Sequence, residues 1–208
     1  MLIILDLDGT IINSQLQHLD SFVRAIKKVT GKESNAITNT IKNMFGIPGD
    51  KIIKTLFPDS DEKLLKDILI EVNKILFDEN LQKITLADSV KDFLERVHKN
   101  HIIALATSAN KKFATTMLAK FKIEKYFKIL ITREDVVNPK PDPELLIKCI
   151  SKAEVEKSDA VSIGDSIYDF EAAKSLGIKF IGVLEYSFFK EKLLKVATCV
   201  NDFSEILI

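Results

Sequence analysis

Short continuous apolar runs alternate with longer amphipathic segments along most of the chain. Residues 2–5, 102–106, 128–131, 160–163 and 178–184 are apolar enough to be buried strands. Between most of them, apolar residues recur at helical spacing, as in Val90, Phe93, Leu94 and Val97, and again in Leu145, Leu146, Cys149 and Ile150. Continuous apolar strands separated by helices predict an α/β fold, a Rossmann-like parallel sheet with helices on both faces.

One stretch breaks the alternation. Residues 14–83 carry four successive helical stripes and no strand pattern. The first stripe is Leu19, Phe22, Val23, Ile26 and Val29, and the last is built on Leu64, Leu65, Ile68, Leu69 and Val72. Pro48 is placed to open the third helix as its first residue. The expected organisation is an α/β core from residues 1–13 and 84–208, with a four-helix-type domain inserted at 14–83.

Ligands of an open parallel sheet bind beyond the carboxyl ends of the strands. Asp6, Asp8, Gly9 and Thr10 follow the first strand, and Thr107, Ser108 and Asn110 follow the second. The loop "TREDVVNPKPDPE" (132–144) holds Lys140, and "GDSIYDFEAA" (164–173) holds Asp165 and Asp169. Arg133 and Glu134 fall in what reads as a solvated stretch before Lys140. Crowding carboxylates is unfavourable, ~4 kcal/mol for a like pair about 4 Å apart at an effective dielectric of about 20. An oxygen-only set of this kind calls for a hard divalent cation, Mg²⁺. A carboxylate-held cation facing a lysine, a hydroxyl and helix-start amides suits a phosphoryl group. Asp6, fixed at the strand end, is the expected nucleophile and Asp8 the expected acid/base. That second role calls for an Asp8 pKa raised by acidic neighbours or partial burial.

Composition adds exclusions. The 208 residues are 46% apolar and 29% charged, with 30 basic and 30 acidic side chains. That is an ordinary globular balance, with no charge excess steering the chain to nucleic acid or an anionic membrane. No run approaches the ~20 apolar residues of a membrane span, and the N-terminal stretch lacks a basic region before its apolar run. A cytoplasmic monomer is the expectation, with Cys149 and Cys199 as reduced, small core residues.

Four short stretches now stand in order: "DLDGT" (6–10), "ATSAN" (106–110), "KPDPE" (140–144) and "GDSIYDFEAA" (164–173). Together they resemble the signatures of the haloacid dehalogenase-like superfamily, in its helical-cap branch, similar to phosphoglycolate phosphatases and β-phosphoglucomutases. The resemblance covers the whole chain. It implies Asp6 as nucleophile, Asp8 as acid/base whose backbone carbonyl also touches Mg²⁺, and Thr107 and Lys140 as phosphoryl-oxygen ligands. It implies Asp165 as a direct metal ligand with Asp169 beside it. A carboxylate at Asp8 favours phosphate chemistry over dehalogenation within that superfamily. Asn13 stands where relatives often carry aspartate. The loop "FGIPGDK" (45–51) lacks the arginine that β-phosphoglucomutases place there, leaving Lys51 as a substitute. His18, Lys51, Ser108 and Asn110 are the expected substrate contacts, with Asn43 a weaker one.

The expected activity is Mg²⁺-dependent hydrolysis of a small phosphorylated metabolite through an aspartyl-phosphate; similar proteins handle phosphoglycolate, sugar phosphates and pyrophosphate, and the resemblance leans to a phosphoglycolate-like substrate. A phosphosugar mutase would use the same groups but return the phosphoryl to another hydroxyl. A receiver-type switch also places an aspartate, a Thr/Ser and a lysine at a sheet rim; the helical insert, the Asp-x-Asp spacing and Asp169 argue against it.

Overall fold

The computed structural model describes all residues 1–208. The first strand, β1 (Leu2–Leu5), runs at the centre of a six-stranded parallel sheet. The chain then makes β2 (Ile12–Asn13), the helices α1 (Gln15–Thr30), α2 (Asn35–Asn43), α3 (Gly49–Leu56) and α4 (Glu62–Ile75), and β3 (Thr85–Leu86). Next come α5 (Val90–Val97), β4 (Ile102–Ala106), α6 (Lys111–Phe121), β5 (Ile129–Ile131), α7 (Glu144–Ala153), β6 (Ala160–Gly164) and α8 (Ile167–Leu176). The chain ends with β7 (Lys179–Val183), α9 (Lys190–Leu193) and β8 (Thr198–Val200).

The sheet order is β5-β4-β1-β6-β7-β8. From β1 the chain fills one side, β4 then β5, and then crosses to fill the other. The reversal makes a crevice beside β1, where such sheets take their ligands. Alternate β1 side chains feed opposite cores. Leu2 and Ile4 pack with α7, α8 and the inserted helices, whereas Ile3 and Leu5 pack with α5 and α6. All four are essentially inaccessible, as a strand covered on both faces requires. Each buried side chain of this size stabilises the fold by roughly 1.5–3 kcal/mol.

Five of the six sheet strands match the apolar runs. The sixth, β8, is three residues long and only partly buried, too short to leave a period. Pro48 caps α3 from outside and is not its first residue. The insert leaves and rejoins the core through β2 and β3, which pair antiparallel as Ile12↔Leu86 and Asn13↔Thr85. After α4 the chain closes with a π turn, Leu76–Asn80. There the buried Asn80 amide donates to Gln17 O, Asp20 Oδ2 and Ser21 Oγ on α1, tying the two ends of the insert together. Cys149 lies in the core, where burial pushes its thiol up to about 12, and Cys199 is half-buried; both are free thiols. No helix is long and apolar enough to cross a membrane.

Candidate active site

Register brings the functional loops together. Leu5 pairs with Leu105 on one side and Ile163 on the other. The residues just beyond are Asp6, then Ala106 and Thr107, then Gly164 and Asp165. Asp6 N–H donates to Ile163 O at 3.0 Å, and Thr107 N–H to Ile131 O at 3.0 Å, extending the sheet by one bond at each loop. The loop after Asp6 folds back tightly, with Ile11 and Ile12 amides both donating to Leu7 O. Gly9 makes this turn with φ +81°, and a Cβ there would sit 2.2 Å from Gln15 Nε2 and 2.5 Å from Asp165 Oδ2. Only glycine fits that position.

Asp6, Asp165 and Asp169 are buried, with one oxygen of each within 4.8 Å of the others. Lys140, 3% exposed, places Nζ 2.5 Å from Asp6 Oδ1 and 2.6 Å from Asp169 Oδ1. It also donates to Ala106 O at 2.9 Å. Asp165 has neutral donors only, Thr10 Oγ1 at 2.9 Å and the Gln15 amide. Asp169 accepts from Ser166 N–H and Oγ across the start of α8. Burial, outweighing the opposing charge of Lys140, pushes Asp6 up to about 7, with Asp169 and Asp8 adding to the rise. Burial, with repulsion from Asp6 and Asp169, drives Asp165 well above the carboxylate range. Burial opposes the charge on Lys140, but Asp169 and Asp6 outweigh it and hold the ammonium more strongly protonated than usual. Fully ionised, three carboxylates against one ammonium would leave two negative charges unmatched, which is why Asp6 and Asp165 hold their protons so strongly without a metal. The donor set therefore fits a divalent, oxygen-seeking cation.

Asp8 departs from expectation. Its carboxylate lies outside this cluster, turned to Ser14 Oγ at 2.5 Å and His18 Nε2 at 2.9 Å. Burial pushes its pKa up, but the His18 charge and the hydrogen bonds from His18 and Ser14 outweigh burial and hold it below the ordinary value. The rise expected from acidic neighbours is thus reversed by His18, Ser14 and the charge of Lys140. His18→Gln removes the charge and is expected to move the Asp8 carboxyl upward, measured by a ¹³C NMR titration; a carboxyl that stays depressed contradicts this reading.

A cavity of about 240 Å³ opens between the sheet rim and the insert, lined by Asp6, Asp8, His18, Thr107, Ser108 and Asn110 among others. Thr107 Oγ1 accepts from Ala109 N–H at 3.0 Å, which leaves its own proton to donate. Asn110 caps α6, accepting from Phe113 N–H at 2.8 Å. Ser108 is engaged with the insert, donating to Gly46 O at 2.7 Å. Gly46 itself has φ +101°, and a Cβ there would meet Ser166 Oγ at 2.7 Å, so the loop approaches the core as closely as a bare backbone allows. Tyr168 OH donates to Asn43 O at 2.8 Å, so Asn43 meets the core through its backbone while the residue itself is exposed. Lys51 is exposed and does not line the cavity. Its neighbour Asp50 does, because consecutive side chains on a helix point about 100° apart. Arg133, read as a solvated loop residue, also lines the cavity. Gln15, Ser14 and Arg133 are site residues that sequence reasoning missed; only the adjacency of Ser14 and Gln15 to the first signature hinted at two of them.

The haloacid dehalogenase-like hydrolase family model matches residues 3–183. The chain belongs to that family. It is 29% identical over 204 residues to a phosphorylated carbohydrates phosphatase of Thermotoga maritima, covering 95% of this chain and 91% of that one. It is 27% identical over 188 residues to a phosphoglycolate phosphatase of Pseudomonas fluorescens, covering 88% and 68%. In fold it superposes on the crystal structure of CbbY from Rhodobacter sphaeroides in complex with phosphate, with TM-score 0.84 at 18% identity, covering 98% and 95%. This haloacid dehalogenase-like hydrolase thus has the expected fold, a Rossmann-like core with a helical cap.

Proposed function

We propose that the protein is a Mg²⁺-dependent phosphatase that hydrolyses small phosphate monoesters through an aspartyl-phosphate on Asp6. The observation that carries this reading is the convergence of Asp6, Asp8 and Thr107 on one cavity above a carboxylate cluster short of positive charge. Phosphatase names among the relatives support it, and a phosphoglycolate-like ester or a sugar phosphate is the favoured substrate. Asp6, Asp165 and Asp169, with the Asp8 backbone carbonyl, would hold the Mg²⁺. Once bound, the ion supplies the positive charge that lets an anionic phosphate approach a carboxylate.

Lys140 fixes the orientation of Asp6 through Oδ1. A carboxylate oxygen of Asp6 forms a bond to phosphorus as the ester P–O bond breaks. Thr107 Oγ1 holds a phosphoryl oxygen. Asp8 is ionised in the free site, and a phosphate dianion bound beside it raises its affinity for a proton. It then protonates the departing oxygen, later takes a proton from water, and that water displaces Asp6 from phosphorus. The cap, residues 14–83, closes over the substrate, with Ser108–Gly46 and Tyr168–Asn43 as closing contacts, and keeps bulk water from the intermediate.

Phosphate release from a panel of small esters, with and without Mg²⁺, tests the reading; no release from any ester overturns it. The cluster also predicts a stability signature. Asp6 binds its proton up to about 7, against an ordinary 3.8. Between those pH values the folded, metal-free protein holds more protons than the unfolded chain, so its stability falls as pH rises. The gain in Tm on adding Mg²⁺ is therefore expected to be larger at about pH 8 than at about pH 5. An equal gain at both, in thermal melts against EDTA controls, contradicts this.

A further inference from the structure

Arg133 sits at the cavity with its side chain 30% exposed. Its backbone is well fixed. Its N–H donates to Ala109 O at 3.1 Å, in the turn that carries Thr107. Thr132 and Asp135 on either side cap the short helical turn reciprocally. The guanidinium is tethered at one point, Nη1 to Val136 O at 3.0 Å. Its Nη2 faces Asp50 Oδ2, on α3 of the cap, at 3.7 Å. That is an ion pair too long for a hydrogen bond, with an Asp50 side chain 53% exposed. Such a pair contributes little and exchanges easily.

The charges lining the cavity are few. Only His18 and Arg133 can be cationic there, and His18 is committed to Asp8 at 2.9 Å. Arg133 is thus a permanently charged planar fork, aimed at the cavity and loosely matched. Carboxylates and phosphates accept from such a fork with two parallel bonds. We infer that Arg133 reads a second anionic group on the substrate, a carboxylate or a second phosphate, and that Asp50 holds its place until the substrate arrives. This rests on the phosphatase reading of the same site. Arg133 belongs to the core and Asp50 to the cap. The incoming anion therefore exchanges a weak cap–core ion pair for two charge-assisted bonds, at little cost to the other cap–core contacts.

The test compares two esters that differ in one group, phosphoglycolate and 2-hydroxyethyl phosphate. The wild type with Mg²⁺ is expected to favour the carboxylate ester in kcat/KM. Arg133→Gln is expected to cut that preference by about tenfold, mainly through KM. Arg133→Lys, which keeps the charge without the fork, cuts it part way and serves if the glutamine variant folds poorly. Asp50→Asn is expected to enlarge the preference. A preference untouched by either Arg133 variant, or losses equal for both esters, overturns the role of Arg133. A smaller preference in Asp50→Asn overturns the role of Asp50. Absence of phosphate release from both esters marks failure of the phosphatase reading. Calorimetric binding of the same two esters to Mg²⁺-loaded wild type and Arg133→Gln then reads the contact without turnover. There an unchanged binding ratio overturns the inference, and a ratio lowered about tenfold supports it.

Discussion

Asp6→Asn is expected to lower kcat by about 10³-fold or more while leaving the fold intact. The amide keeps the shape of the side chain but is no nucleophile toward phosphorus. The fold should tolerate it, because Asp6 costs the metal-free protein stability. It is a buried carboxylate beside two others, pushed up to about 7 chiefly by burial. Removing its charge relieves that strain, and Lys140 keeps Asp169 as a partner at 2.6 Å. Steady-state phosphate release and a thermal melt read the two halves of this expectation separately. An active Asp6→Asn enzyme removes the nucleophile assignment. An inactive one that melts far below the wild type leaves the loss to unfolding and contradicts the stability half.

Lys140→Met is expected to have the opposite balance, destabilising the metal-free protein by about 3–5 kcal/mol. Methionine fills much of the same volume, so packing is largely kept. What is lost is the one ammonium between Asp6 and Asp169, at 2.5 and 2.6 Å. Three buried carboxylates then face one another with only neutral donors. Mg²⁺ is expected to recover part of the loss, since it supplies charge at the same cluster. Denaturant melts with and without Mg²⁺ check this. A variant as stable as the wild type without metal shows that the lysine does not hold the cluster together.

The parts of this protein legible in the sequence are the local ones. Strand β1 and the loop behind it lie within ten residues, so the apolar run and the two aspartates declare their direction at once. The other three signatures, at 106–110, 140–144 and 164–173, are equally local, and parallel β order sends them to the same rim. Geometry set by distant chain segments was not legible. The sign of the Asp8 shift depends on His18, ten residues on and rotated onto the carboxylate by α1. Lys51 and Asp50 differ by one helical step, and a sequence without a known N-cap does not say which faces in. Arg133 reads as solvated because its loop is polar; that it lines a cavity shared with the cap, 3.7 Å from Asp50, depends on a segment 83 residues away. Gln15 reaches Asp165 across 150 residues, a contact with no local signal. β8 is simply too short to show a period.

The most direct measurement is acid-quenched mass spectrometry of the wild type, stopped early in turnover of a hydrolysed ester with Mg²⁺. The expected result is a phosphoryl adduct of about 80 Da on the peptide containing Asp6, absent in Asp6→Asn and lost as substrate is exhausted. Sustained phosphate release with no adduct, or an adduct on a different residue, contradicts an aspartyl-phosphate on Asp6.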